Sequence, residues 1–598
     1  MNHRGTEIIE RLWRLRIDLS KVILLLLYLI PVFATIGFIA AFAVDVPAYD
    51  QWVLPGLFEK VATNNLTFAD LFELHNYHRI LFPRLIYIGL GFLSSWNILA
   101  EISFSFILAS ITYIFLYKLS IITSKSHNNL LFHLSNLMTG LLIFSLTQRW
   151  LWGFQLPIFL INLFLVIGCL ILSLPRLSTP FKLFLTALCC IITSFSSAQG
   201  LMVWLAVLPG IVSLVGNRFD QIKRVSLWLF LFFVSCGIYL IGYYQDPRNI
   251  ELSLIERLLI SIQFFFNLLA APLLSAPKVT VILGMIIFAN FIYLCFYFTK
   301  EQYLKYKTFG SASPWLSIGI FAVITALLMS AGRVEQGADY PIYAIRYTTH
   351  TILLLIAVIQ LWRVWIDQKQ DFIKTYHYSS LFYSFFAGIL VCLIWVRSGD
   401  MIVETQLGYV DQKNGQTCLY LINYLEDSPF FKNSPERCVL SMSKTTWWIR
   451  DGVDFLQQIP LRNFAENLTF QTNTAEVYGY IDIPQNQDNI IQLNPHDTLT
   501  VSGWVILPDA ETQPKLVFLS LDNNRSFFAN AKVNLASPDI MEMYKTTQYQ
   551  QQRWNVILST DSLPTQLTEI KAWVYHPLSK QLLQLQGKIQ VSVKPAQN

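Results

Sequence analysis

The hydrophobic and polar positions along this chain divide it in two. From Val22 to Val396 long apolar runs recur, separated by short polar stretches; beyond Arg397 the runs shrink to brief alternating segments. A helix needs about 20 apolar residues to cross the hydrocarbon core of a bilayer. The runs Val22–Val44, Ile98–Leu116, Leu131–Leu146, Phe154–Leu174, Phe181–Phe195, Leu201–Val215, Val225–Tyr243, Val279–Phe298, Trp315–Ser330, Thr351–Trp365 and Leu381–Val396 are therefore read as spans. The first follows the basic amphipathic stretch MNHRGTEIIERLWRLRIDLSK. It exceeds a signal-peptide core and no small-residue cleavage site follows, so it is read as an uncleaved span. Two further apolar segments fit less easily: Ile80–Phe92 contains Pro83 and Arg84, and Ile255–Leu274 runs into APLLSAPK.

The Lys/Arg distribution chooses between the topologies. With both of these segments lying on, or dipping into, the outer face, the inner loops hold Lys118, Lys125, Arg176, Lys182, Arg218, Lys223, Arg224, Lys300, Lys305, Lys307, Arg363, Lys369 and Lys374, together with the basic N-terminus. A crossing at Ile80–Phe92 would turn three basic loops outward. The expected fold is a polytopic α-helical bundle of about eleven spans plus two interfacial or re-entrant helices, with a cytoplasmic N-terminus and an extracytoplasmic C-terminal domain. The setting is a plasma or inner membrane.

Composition sharpens the division. Of 598 residues 54% are hydrophobic and 14% charged, with a mean hydropathy of +0.46, against about 25% charged in soluble domains. The deficit lies before Arg397. The net charge of +5 sits in short loops, which speaks for topology and against nucleic-acid binding.

After Glu476 the segments EVYGYIDI, DTLTVSGWVIL, KLVFLSL, RSFFANAKV, RWNVIL, EIKAWVY and KIQVSV alternate, with DNN and PDAETQP among the turns between them, which predicts a mainly-β, sandwich-like domain. Its roles would be carbohydrate contact, partner contact or scaffolding. Cys418–Glu426 and Gly452–Gln458 read as helical. The expected divisions are 1–21, a cytoplasmic basic segment; 22–397, the membrane bundle, with residues 45–96 as its first outer loop; 398–475, a mixed α region; and 476–598, the β domain. Six of eight cysteines lie in or near spans as apolar fillers. Cys418 and Cys438, the two in the tail, are expected to form a disulfide in an oxidising compartment.

Candidate chemistry gathers at the outer mouth of the bundle, where retained charges tend to serve substrate. The first outer loop carries Asp45, Asp50, Asp70, Glu73, His75, His78, Arg79 and Arg84. Asp45 or Asp50, just past the first span, suits a general base towards a hydroxyl or a ligand for a divalent cation. His75 and His78, three apart, share a face if HNYHR is helical; a metal pair there lacks a third ligand at diagnostic spacing. The segment AGRVEQGADYPIYAIRYTTH supplies Arg333, Glu335, Asp339, Arg346, Tyr347 and His350. Two guanidiniums at a bundle mouth suit a phosphate or pyrophosphate; the plainer alternative pairs them with Glu335 or Asp339. QRWLWGFQLP adds Arg149, Trp150, Trp152 and Gln155, and SFSSAQG adds Gln199. Trp150 is read as part of an interfacial aromatic belt.

The layout of DVPAYDQW, HNYHRILFPRL, WGFQ and GRVEQGADYPIYAIRY resembles the GT-C superfamily of membrane glycosyltransferases, over the membrane part up to about Val396. The resemblance implies a sugar taken from a polyprenyl-phosphate or polyprenyl-pyrophosphate donor on the outer face and passed to a glycan, lipid or protein acceptor, usually with inversion. On this chain the first-loop acid is Asp50 or Asp45, Asp50 being preferred for its place in the YDQW turn; Arg333 and Arg346 would hold the donor phosphate. The chain departs from the superfamily in lacking an adjacent acidic pair or short DxD, so a divalent metal is not certain as a cofactor. Two rival classes are a transporter or flippase of lipid-linked sugars and a non-catalytic membrane assembly protein. A transporter would favour paired halves, and the sequence carries no convincing internal repeat.

Overall fold

The computed structural model describes residues 3–127, 129–244, 252–305, 310–369, 373–472, 476–482, 490–507 and 513–595. Lys307, Ile483 and turn residues 508–512 lie outside the described residues. The chain forms two compact units, one of Met1–Ala43, Leu66–Leu90 and Leu99–Thr405, the other of Val44–Asn65, Gly91–Ile98 and Gln406–Asn598.

The first unit is helical. Among the described residues eight helices are long and apolar enough to cross a membrane: Lys21–Phe42, Ile98–Thr123, Gly153–Ser173, Arg218–Leu240, Pro277–Lys300, Gly310–Gly332, Ile345–Asp367 and His377–Tyr420. They mark an integral membrane protein. The other three expected spans form shorter apolar helices, Leu130–Ile143, Thr179–Ser194 and Ala198–Val212, the last broken between 3-10 and α turns. At about 1.5 Å per residue none of these reaches the roughly 30 Å of a hydrocarbon core. The segment after Ile80 is the helix Leu81–Ser94, and Ile255–Leu274 contains the helix Leu254–Ala270. The second starts where its sequence says it should: in Ser253-x-x-Glu256, the Ser253 Oγ accepts from the Glu256 amide at 3.3 Å and the Glu256 carboxylate accepts from the Ser253 amide at 2.9 Å.

At the centre of this unit Ser313–Gly332 packs along Thr348–Asp367, which is buried over nearly its whole length. Polar side chains join the helices where hydrocarbon offers no partner. Trp315 Nε1 donates to Thr123 Oγ1 at 3.0 Å, and Gln360 Nε2 donates to Thr139 Oγ1 at 3.1 Å. Arg363, assigned from sequence to an inner loop, is instead buried within its helix, paired with Asp367 at 3.2 Å and bonded to Thr123 Oγ1 at 2.8 Å. The helix continues past Trp365 to Asp367, so its last turns carry this charge inward. Trp150 is also corrected: it is 1% exposed, stacked on Phe159 at 5.0 Å, with its indole N–H on the Ser145 carbonyl at 2.9 Å. It is a packed core residue and not an interfacial belt.

The last span does not stop at Val396. Ile373–Tyr420 is one helix of 48 residues, and the division between units falls inside it. No proline interrupts residues 373–428, so no backbone donor is lost where hydropathy falls.

The second unit contains the helices Pro55–Ala62 and Thr446–Gln458 and a β domain. Strands are numbered along the whole chain. In the first unit, β1 (Leu74–His75) and β2 (His78–Arg79) form a two-stranded hairpin. The β domain comprises β3 (Thr469–Gln471), β4 (Gly479–Ile481), β5 (Ile490–Leu493), β6 (Thr498–Val505), β7 (Leu516–Leu521), β8 (Ala529–Leu535), β9 (Arg553–Ser559), β10 (Thr568–His576), β11 (Gln581–Gln584) and β12 (Ile589–Val593). All seven expected strands are present; β3, β5 and β11 are additional. The mainly antiparallel strands join one continuous sheet in the order β3-β11-β10-β7-β8-β9-β6-β4, with β12 and β5 branching from β10. The sandwich expectation of two separate sheets is corrected here: β10 is long enough to pair with β12 at Thr568–Ile570 and with β11 at Trp573–His576, which ties both branches together. The core is made by the inward positions of β6, β7, β9 and β10, including Val501, Phe518, Trp554 and Val574.

Cys418 and Cys438 pair as expected, with their Cα atoms 6.2 Å apart. Gly415, one turn before Cys418, makes room for this: a Cβ there would come 2.2 Å from Ser441 Oγ. Cys169, Cys189 and Cys190 are buried in the helical unit, Cys236 and Cys295 are half-buried and Cys392 is exposed.

Candidate functional site

Within the first unit the candidate site is a cluster of cations and aromatic rings around Tyr347. Arg333 ends the helix Ser313–Gly332 as its C-cap, and Arg346 and Tyr347 form the 3-10 turn that leads directly into Thr348–Asp367. The guanidinium carbons of Arg333 and Arg346 stand 5.8 and 4.9 Å from the centroid of the Tyr347 ring, within cation–π range. Arg346 Nη2 donates to the Tyr340 hydroxyl at 3.0 Å. The ring thus gathers two like charges that would otherwise repel.

Buried polar side chains fix the loop that carries this cluster. Gln155 Nε2 donates to the Arg346 carbonyl at 2.7 Å and to Thr349 Oγ1 at 3.2 Å. Asn162 Nδ2 donates to the Thr349 carbonyl at 2.8 Å, while its Oδ1 lies 2.7 Å from His350 Nδ1. Thr348 Oγ1 donates to the Thr147 carbonyl at 2.7 Å. At the other end Asn267 Nδ2 donates to the Ala338 carbonyl at 3.0 Å and to Asp339 Oδ1 at 3.1 Å. Arg397, 1% exposed, donates to the Ile342 carbonyl at 3.0 Å and pairs with Asp400 at 3.6 Å and Glu404 at 3.8 Å. Sequence reasoning passed over Asn162, Asn267 and Arg397. The available signal was a polar side chain inside an apolar run, or a lone arginine at the end of one.

The histidines are on a hairpin and not on one helical face. His75 and His78 are directly opposite across β1 and β2, because Asn76 takes a left-handed conformation at φ 51 and closes a two-residue turn. The His75 ring packs on Phe154 at 5.1 Å, and Phe154 stacks on Tyr87 at 5.3 Å. Burial lowers His75 to about 4, reinforced by the Arg84 charge. Burial also lowers His78 to about 4, with smaller contributions from His75 and Arg333. Both imidazoles are neutral at pH 7, and His78 lies close enough to Arg333 to feel its charge. His78 Nδ1 is buried without a hydrogen-bond partner among the described residues.

Other expected site residues are occupied elsewhere. Arg79 donates to the Tyr239 carbonyl at 2.6 Å and to the carbonyls of Phe72 and Ile241, and packs over the Phe72 ring at 4.1 Å. Arg84 donates to the carbonyls of Leu71 at 3.0 Å and Glu73 at 2.5 Å. These guanidiniums hold the hairpin in place. The Glu73 side chain is exposed, as is Glu335, in the 3-10 turn Val334–Gln336. Gln199 accepts from the Ser197 hydroxyl in the turn Ala198–Met202 and joins none of the others. Among the described residues, no three His, Cys, Asp or Glu side chains converge to hold a metal ion.

An apolar groove of about 1,090 Å³ also lies within this unit, lined by Leu283, Ile287, Leu355, Trp362, Phe382 and Phe386 among others. The helix Thr348–Asp367 contributes to it from Leu355 onwards, and its N-terminal end follows Arg346 and Tyr347.

The first-loop acids belong to the second unit. Asp45 is a structural junction: its carboxylate pairs with Arg462 at 3.0 Å and accepts from the Ile98 amide at 2.9 Å, at the start of the helix Ile98–Thr123. Asp50 is half-buried in the 3-10 turn Tyr49–Val53. That turn is pinned by the Tyr49 amide on the Met442 carbonyl at 2.6 Å, by Trp52 Nε1 on the Pro47 carbonyl at 3.2 Å and by the edge of Trp52 on Trp96 at 5.8 Å. Trp52 also fits over Gly452, where a Cβ would come within 2.7 Å of its ring. No family model, curated protein or solved structure matches this chain.

Proposed function

We propose that this chain is a GT-C-type membrane glycosyltransferase that transfers a sugar from a polyprenyl-phosphate or polyprenyl-pyrophosphate donor to a glycan, lipid or protein acceptor on the outer face of the membrane. The observation that carries the reading is the pair of guanidiniums, Arg333 and Arg346, held on one tyrosine at the head of a helix that lines an apolar groove. A lipid-linked phosphate has matching chemistry: an anionic headgroup on a long hydrocarbon chain.

In this reading the hydrocarbon lies in the groove and the arginines hold the phosphate. The acceptor hydroxyl attacks the anomeric carbon from the side opposite the phosphate, the bond from that carbon to the phosphate oxygen breaks, and the configuration inverts. Arg333 and Arg346 stabilise the charge that develops on the leaving oxygen. The resemblance alone implies Asp50 or Asp45 as the residue that takes the acceptor proton. Asp50 is preferred to Asp45 for its place in the YDQW turn. The Lys/Arg distribution supports a cytoplasmic N-terminus and an extracytoplasmic tail, and the Cys418–Cys438 pair suits an oxidising compartment for that tail.

The test is an assay of the purified protein in lipid nanodiscs with a panel of polyprenyl-phosphate and polyprenyl-pyrophosphate sugars and candidate acceptors, with products read by mass. Transfer that Asp50→Asn and Arg346→Gln each suppress supports the reading. Donor binding without turnover on any acceptor would favour a carrier of lipid-linked sugars.

A further inference from the structure

The second unit contains an open cleft of about 950 Å³ that the transferase reading does not use. That volume is near the upper end of the roughly 300–1,000 Å³ typical of small-ligand sites. Three structural pieces form it. The last turns of the helix Ile373–Tyr420 contribute Gln416 and Tyr420, four apart and so on one face. The end of Thr446–Gln458 and the segment after it contribute Gln457, Asn463 and Asn467. The end of β10 contributes Tyr575, whose ring centroid lies 5.6 Å from that of Tyr420.

We infer that this cleft binds a short neutral oligosaccharide. The lining has the two groups that sugar recognition needs: aromatic faces for the C–H face of a pyranose, and planar amides that donate and accept towards neighbouring hydroxyls. Gln457, Asn463 and Asn467 are exposed and both tyrosines are half-buried; Gln457 Nε2 donates to Asn423 Oδ1 at 2.9 Å, which orients its amide at the edge of the cleft. The charges balance. Arg462 is already paired with Asp45 at 3.0 Å, and Lys580 is offset by Glu466 on the same lining. With Asp45, which lies off the lining but pairs with Arg462, these charges sum to zero, so the cleft has little with which to prefer an anionic chain. Asn467 and Lys580, both on the lining, adopt left-handed backbone at φ 53, a conformation disfavoured for a lysine and found most often in turns and binding sites.

The inference does not depend on the assignment of Arg333 and Arg346. The experiment is saturation-transfer NMR on the full-length protein in nanodiscs, with maltotriose, cellotriose and mannotriose as neutral probes and trigalacturonic acid as the acidic contrast. The expected result is transfer to the ring protons of at least one neutral trisaccharide. Tyr575→Ala should weaken that binding about tenfold through loss of the stacking face. Asn463→Ala, an exposed change with little scope to disturb folding, should weaken it measurably, while Arg346→Gln should leave it unchanged. Absence of transfer to all three neutral sugars, transfer to the acidic sugar alone, or binding unaltered by both cleft variants would overturn the assignment.

Discussion

Asp45 and Arg462, 417 positions apart in sequence, meet in an ion pair of 3.0 Å. The arginine also donates to the Asp45 carbonyl at 2.7 Å and to the Trp96 carbonyl at 3.0 Å. Asp45→Ala therefore removes the charge partner of a mostly buried guanidinium, which keeps its carbonyl acceptors, and leaves the Ile98 amide without its carboxylate acceptor, a loss of about 1–3 kcal/mol. The expected result is a lower melting temperature for the purified protein, with residual transfer activity. Asp50→Asn should abolish transfer. An Asp45→Ala protein that melts normally and is inactive would exchange the two roles.

At the cation cluster the shape of the charge matters as well as its sign. Arg346→Lys keeps the positive charge but loses the planar fork and its hold on Tyr347. The transfer efficiency kcat/KM should fall by about ten- to a hundredfold, and with Arg346→Gln by about a hundred- to a thousandfold. Steady-state kinetics on one donor series would show equal rates for Lys and Arg if the cluster acted only as a diffuse field.

The pair Cys418–Cys438 closes a segment with a sequence separation of 20. Its loss in Cys418→Ser should remove about 3 kcal/mol by relaxing the unfolded chain. Limited proteolysis is the direct measurement: the variant should be cut within residues 421–445 at protease concentrations that spare the parent. Equal resistance would mean that packing around Gly415 suffices without the bond.

His75 and His78 stay neutral in the folded protein down to about pH 4, whereas in an unfolded chain they titrate near 6.5. The unfolded state therefore takes up protons first as pH falls. The stabilisation they provide is complete above about pH 6.5 and is lost progressively between there and pH 4. Melting curves from pH 7.5 to 4.5 should show a decline that is shallower in His78→Gln. Parallel curves would place the acid sensitivity elsewhere.

Hydropathy revealed the long helices because apolar content is a property of the chain itself. It overstated Leu131–Leu146, whose helix ends at Ile143 where Ser145 and Thr147 hydrogen-bond locally. The hairpin at His75 was missed because two-residue strands are too short to alternate, and Asn76 was the only sign of it. Strands β3, β5 and β11, of three or four residues, were also not expected from the sequence. The guanidiniums of GRVEQGADYPIYAIRY were legible as an anion site by type alone. That Arg79 and Arg84 spend their donors on nearby carbonyls was not, since those partners are set by tertiary packing.

The sheet also sets an order of events in biosynthesis. Among the described residues, strand β3 pairs only with β11, and β5 only with β12, both in parallel. These early strands emerge from the ribosome long before their partners exist, so their backbone donors must wait, solvated or shielded by a chaperone, until residues 581–593 have been synthesised. A nonsense codon near position 580 would thus unmake strands far upstream of it, and the truncated tail would expose ready templates for aggregation.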